Sequence, residues 1–214
     1  MGIEGIAIII ALIISIIIHE MAHGYAANWL GDPTAKLAGR LSPNPLVHID
    51  PVGSILIPAV LFLSSAGFLF GWAKPVPYNP YNLKNQKWGE ALVAAAGPLV
   101  NILLAVIFSL LIRSAGTLGL SPSFVDLASF IVYINILLAF FNMIPIPPLD
   151  GSKMLLALLP YGAALRYREF MMRIEQFGLI FTFLFIFIFI NIFWTPFSMV
   201  VLNVFSLLTG LGGL

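Results

Sequence analysis

Apolar residues in this chain fall in long unbroken stretches, without the alternation or helical stripes of a water-soluble domain. The first stretch, Ile3 to Leu30, reads as one long helix. Gly31 suits the left-handed position just past a helix, and Pro33 cannot continue the turn. Residues 91–112 and 124–144 are two further spans reaching the ~18 apolar residues that argue for a membrane-crossing helix. Stretches 177–194 and 196–214 would together make ~50 Å of helix, too long for one ~30 Å hydrocarbon core. Thr195-Pro196 is therefore expected to turn the chain between two short spans. Residues 54–70 are also apolar, but Pro58, Ser64, Ser65 and Gly67 interrupt them. Pro75, Pro77 and Pro80 then impose an extended stretch. Residues 31–53 read as loop, and residues 153–176 are polar and basic.

This pattern predicts an all-α polytopic membrane protein. About five transmembrane helices are expected, with a re-entrant or extended segment and possible short β-strands around 54–80. One membrane-embedded domain covers 1–214, with a core of about 3–160 and a helical hairpin over about 177–212.

Composition supports the membrane assignment. The 214 residues are 60% hydrophobic and only 9% charged, against roughly 25% charge in soluble domains. The net charge of +1 and the lack of a basic patch exclude nucleic acid as a partner. With no cysteine, disulfides and thiolate metal sites drop out, so any metal must be held by His, Asp or Glu. The first apolar run has no basic start and no small-residue cleavage site, so it reads as a retained helix rather than a signal peptide.

Against this background "HEMAH", residues 19–23, stands out. His19 lies about 24 Å along the first helix from Ile3, deep in apolar chain. Charge near a bilayer centre costs at least ~2.5–3.5 kcal/mol on insertion scales, so ionisable groups there usually serve a function. H-E-x-x-H on a helix puts His19 and His23 one turn apart on one face, where both can hold one zinc ion. Zinc lowers the pKa of water it binds from 15.7 to about 7. Glu20 is placed to take that water's proton and deliver it to a leaving amine. The competing reading is two core histidines satisfied by hydrogen bonds.

A catalytic zinc usually takes three protein ligands. Asp32, Asp50, Asp126, Asp150, His48 and the other glutamates are all candidates for the third. Asp150 stands out because it ends "NMIPIPPLDG", where Pro145, Pro147 and Pro148 break an apolar span and free backbone near the membrane. An ordinary interfacial turn would read the same way. Asn101, Asn142 and Asn135 could line a wet pocket, or simply bond helix to helix. His48 and Lys153 could bind substrate or a developing oxyanion, or lie in a solvated loop.

Five stretches together carry a family likeness: "HEMAH" (19–23), "GRLSPNPLVHIDPVG" (39–53), "FGWAKPVPYNP" (70–80), "AGPLVN" (96–101) and "NMIPIPPLDG" (142–151). Over roughly residues 5–160 the chain resembles the site-2 protease family of intramembrane zinc metalloproteases, in its short form without PDZ or CBS domain. The resemblance implies one zinc ion held by His19, His23 and Asp150, with Glu20 as catalytic base. It also implies cleavage of peptide bonds in or near the transmembrane segments of other membrane proteins.

Charge distribution bears on topology. If 54–80 dips into the bilayer and returns, nine of the ten Lys and Arg residues share one side and only Arg113 lies opposite. A full crossing at 54–70 would divide them seven to three and separate Asp150 from the histidines. The positive-inside rule then puts the nine, and the active site, at the cytoplasmic face of a prokaryotic cell membrane. The amino terminus would lie outside and the carboxyl terminus in the cytoplasm. The extended "GRLSPNP" and "WAKPVPYNP" stretches could offer a strand edge to an unwound substrate.

The alternative is a non-hydrolytic membrane zinc-binding protein or transporter. Glu20, a carboxylate beside the ligands but not one of them, argues for hydrolysis, and no paired or repeated site argues for transport.

Overall fold

The computed structural model describes residues 3–63 and 71–212. Its helices are α1 (Ile3–Trp29), α2 (Thr34–Leu37), α3 (Ile57–Leu63), α4 (Gly89–Arg113), α5 (Ala115–Leu118), α6 (Pro122–Asn142), α7 (Asp150–Leu158), α8 (Tyr161–Ile188) and α9 (Trp194–Thr209). Among the described residues, four helical stretches are long and apolar enough to cross a membrane: Ile6–Trp29, Gly89–Arg113, Pro122–Asn142 and the bent Tyr161–Thr209. The possible short strands do not form among the described residues, where 71–79 runs as irregular extended chain. Prolines 75 and 77 have no N–H to give to a ladder there.

Helix α4 is the axis of the molecule and packs against α1, α6, α7 and α9. Small residues allow the close approach: Ala91, Ala94 and Ala105 of α4, and Ala128 and Ala139 of α6, are buried. Toward the Arg113 end, Ala105 and Ile112 pack with Val132, Ile136, Val201 and Phe205 of α6 and α9. Large apolar side chains such as Ile6, Ile10, Ile14, Leu99, Leu103 and Leu110 face outward. That inversion suits a bundle whose solvent is lipid.

Gly31 ends α1 as expected, with φ of +110°, and the next amide, Asp32 N–H, closes the turn on Ala27 O at 2.9 Å. The chain then forms short helical turns over Pro45–His48 and Pro51–Leu56 and continues into α3. Trp72 N–H donates to Gly53 O at 3.2 Å, and Ser54 Oγ donates to Trp72 O at 2.8 Å. The two ends of the 54–71 segment therefore meet, and the chain returns to the place it left. Ser64, Ser65 and Gly67, expected to break this segment, lie outside the described residues.

The carboxyl-terminal half departs from expectation. Thr195 and Pro196 do not form a turn; they lie in the first turn of α9. Proline is tolerated there because the first four N–H groups of a helix have no partner within it. The chain bends instead at Gly178, with φ of +49° inside α8, and again through Phe189–Phe193. Eight residues of straight helix rise about 12 Å, yet the Phe189 and Phe197 rings are 5.1 Å apart between centroids. Phe141, at the end of α6, packs against the second bend, with Phe185 at 6.2 Å, Phe189 at 5.2 Å and Phe197 at 6.5 Å. Helix α9 then runs the length of the bundle to Arg113, whose guanidinium donates to Leu207 O and Leu208 O. It ends opposite His19, not on the same side as a simple hairpin would place it.

Candidate metal centre

Three side chains converge where α1, α4 and α7 meet. His19 Nε2 and His23 Nε2 are 3.0 Å apart. Asp150 Oδ2 lies 3.2 Å from the first and 3.3 Å from the second. Among the described residues this is the one group of three or more His, Asp or Glu side chains placed to share a cation.

Hydrogen bonds fix which nitrogen each imidazole presents. His23 Nδ1 lies 2.8 Å from Val93 O, a carbonyl that can only accept, so Nδ1 carries the proton. His19 reaches its tautomer through a longer chain. Asn135 Nδ2 donates to Ile131 O at 2.8 Å, which fixes the orientation of that amide. Its Oδ1 then accepts from Asn101 Nδ2 at 2.7 Å, so Asn101 Oδ1 faces His19 Nδ1 at 2.5 Å and accepts a hydrogen bond from it, leaving the proton on Nδ1. Asn135 Nδ2 also reaches Ser15 Oγ at 2.9 Å. Both Nε2 atoms are left as lone pairs pointing at a carboxylate. Asp150 Oδ2 is buried with no hydrogen-bond donor.

Three lone pairs at such separations repel unless they share a cation. The edges of a tetrahedron built on ~2.0–2.1 Å metal bonds are about 3.3–3.4 Å, close to the spacings here. An imidazole–imidazole–carboxylate set with its outer nitrogens hydrogen-bonded is zinc chemistry. The residues present fit that ion.

Helix α4 also makes room. A Cβ on Gly97 would sit 2.5 Å from His23 Nε2 and 2.6 Å from His19 Nε2, so only glycine lets this backbone pass so near the imidazoles. Asp150 sits at the first position of α7, after the break at 143–149.

Glu20 points toward the extended 71–79 stretch, where its Oε2 accepts from Val76 N–H at 2.9 Å. Its Oε1 accepts no hydrogen bond from the described residues.

The other sequence candidates lie elsewhere. Asp32 is buried and anchors the loops after α1, accepting from Thr34 N and Oγ1, Asn79 N and Asn82 Nδ2. Burial pushes its pKa up, but these bonds outweigh it and hold the carboxyl below its ordinary value. Asp50 caps the Pro51–Leu56 turn through Val52 N and Gly53 N. His48 is buried, with Nε2 2.8 Å from Ser42 O, and its carbonyl accepts from Lys74 N–H. Asn142 Nδ2 bonds back to Leu138 O of its own helix at 2.9 Å. Lys153 lies over the Tyr78 ring, with Nζ 5.1 Å from the centroid. Sequence reasoning missed Val76 N–H, Val93 O and Gly97. Two of these are backbone groups, invisible in residue identity, whereas "AGP" in mid-helix was a readable sign for Gly97.

Residues 7–125 and 117–189 match the sequence model of Peptidase family M50. A protein of Bacillus subtilis (strain 168) named "Putative zinc metalloprotease YwhC" is 39% identical over 183 residues, covering 81% of this chain and 76% of that one. A "Putative zinc metalloprotease Rip2" of Mycolicibacterium smegmatis is 29% identical over 154 residues, 68% of this chain and 54% of its own length. One named MJ0611, from Methanocaldococcus jannaschii, is 45% identical over 65 residues, 29% of this chain and 31% of its own. No solved structure matches the chain. With three candidate ligand side chains converging and four candidate spans around them, the chain belongs to Peptidase family M50, the site-2 proteases, and is an integral membrane zinc metalloprotease.

Proposed function

We propose that this chain cleaves peptide bonds in or near the transmembrane segments of other membrane proteins, with His19, His23 and Asp150 holding one zinc ion and Glu20 as general base. The carrying observation is the convergence of two imidazole lone pairs and a donor-less carboxylate oxygen within 3.3 Å, beside a glutamate that is not a member of the set. Bound zinc supplies Lewis acidity that makes water a nucleophile at neutral pH.

The protein's own groups do the rest. Val76 N–H holds one oxygen of Glu20, so the other is free to take a proton from water and pass it to the departing amine. Asn101 Oδ1 and Val93 O keep both imidazoles turned with Nε2 inward. A substrate helix hides its amides in its own ladder and must unwind locally to be attacked. The N–H groups of Trp72, Lys74 and Val76 are engaged with Gly53 O, His48 O and Glu20. A substrate strand lying along 71–79 would therefore depend on the other groups of that stretch.

The site faces the cytoplasm in this reading. The meeting of Gly53 with Trp72 supports one shared side for residues 31–53 and 71–88, and with them the nine-to-one division of Lys and Arg.

The test is cleavage of single-span membrane proteins by purified protein in detergent. Glu20→Gln should keep about one zinc per chain and lose cleavage, and Asp150→Ala should lose both. Cutting by Glu20→Gln at the parental rate would remove that residue from the mechanism.

A further inference from the structure

Arg40 is a buried cation, 7% exposed, and among the described residues no carboxylate pairs with it. Gly39, with φ of +67°, turns the chain out of α2 and delivers Arg40 inward. Its terminal nitrogen Nη2 donates to Lys74 O at 2.6 Å and to Pro75 O at 3.3 Å. Its Nε is buried without a partner. A guanidinium left partly unsatisfied is an expensive way to cap two carbonyls, since burial penalises charge and a neutral amide could do the same. Its placement has to be explained by what those carbonyls belong to.

Pro75 O and Val76 N belong to one peptide unit. That unit is trans, because the one cis bond among the described residues is Pro147-Pro148. In a trans peptide, C=O and N–H point in opposite directions from a rigid plane. Arg40 therefore grips one end of the plane, and the other end donates to Glu20 Oε2 at 2.9 Å. Pro75 and Pro77 carry no N–H, so Val76 is the one amide donor in 75–77. Lys74, next to this plane, is held from both ends: its N–H by His48 O at 2.8 Å and its carbonyl by Arg40.

We propose that Arg40 is a positioning residue for Glu20, acting through the Pro75–Val76 peptide, whose plane it locks and whose N–H it strengthens as a donor by polarising the carbonyl. This rests on Glu20 being the general base. Asp32 anchors the same stretch three residues on, through Asn79 N–H at 2.6 Å, but touches no group of the Val76 peptide.

The experiment compares parental protein, Arg40→Lys and Arg40→Gln, each purified and zinc-loaded. Hydrogen exchange of the Val76 amide is read in [15N]valine-labelled protein, with Val76→Ile identifying its signal and Val93 and Val132 in α4 and α6 as controls. In Arg40→Gln the Val76 amide should exchange about ten-fold faster or more, with the controls unmoved. kcat should fall by about ten- to a hundred-fold, the scale of a misplaced catalytic group, while KM and zinc content hold. Arg40→Lys, which keeps charge and donors, should lie between Gln and parent on both measures. If Arg40→Gln does not fold, Arg40→Lys carries the test on the same two readouts. Parental Val76 exchange in a folded Arg40 variant, or a kcat loss that merely follows zinc content, would overturn the proposal. The exchange measurement needs no cleavage. A failure of the Glu20 reading, seen as parental cutting by Glu20→Gln, therefore registers separately from a failure here.

Discussion

Glu20 and Val76 stand 56 positions apart in the chain, yet the backbone amide of Val76 lies 2.9 Å from Glu20 Oε2. The direction of a carboxylate beside an apolar helix is set by the donors it accepts from. Here a proline-flanked amide does so, held in turn from the loop after α2.

The histidine tautomers give the first prediction. Asn101→Leu removes the acceptor that holds His19 Nδ1–H, and with it the link to Asn135 and Ser15. Loss of such an outer partner typically costs 10–100-fold in metal affinity. Zinc affinity measured by chelator competition should fall by about that factor, while Asn135→Leu, one bond further out, should cost less.

Gly97 gives a second. Gly97→Ala would place a methyl 2.5–2.6 Å from both Nε2 atoms, in the space where the proposed zinc ligands converge. Alanine is a better helix former than glycine, by ~1 kcal/mol, so the helix itself should not suffer. The expected variant is folded and helical by circular dichroism but holds well under one zinc per chain by atomic emission. Full zinc occupancy would show that α4 moves aside more easily than its packing suggests.

The third concerns Asp32, fully buried beneath the loops. Asp32→Asn should destabilise by about 1–3 kcal/mol at pH 7, the usual consequence of weakening a buried hydrogen-bonded group. The native carboxyl titrates below its ordinary value. Its stabilisation is therefore complete above the unfolded pKa of about 3.9 and disappears as pH falls through the native one. The difference in melting temperature between parent and variant should be largest near neutrality and shrink below about pH 4. A constant difference across that range would mean the ionised form is not what the four donors hold.

Read alone, the sequence determined that the chain lives in lipid and that two imidazoles share one face of a helix. Both follow from regularities within a single element: apolar length against bilayer thickness, and spacing against helical pitch. It left several carboxylates and a histidine as candidates for a third ligand, with Asp150 foremost, and the three-dimensional arrangement brings the Asp150 carboxylate beside the imidazoles and uses Asp32 and Asp50 to anchor loops. It foresaw a break late in the chain but put it at Thr195-Pro196, because a proline in a helix's first turn looks the same in sequence as one that ends a helix. What only the tertiary structure decided are the partners made of backbone: Val93 O for His23, Val76 N–H for Glu20, Gly53 O for Trp72. Nearly every residue carries the same N–H and C=O, so nothing in the letters marks which of them will meet a side chain dozens of positions away.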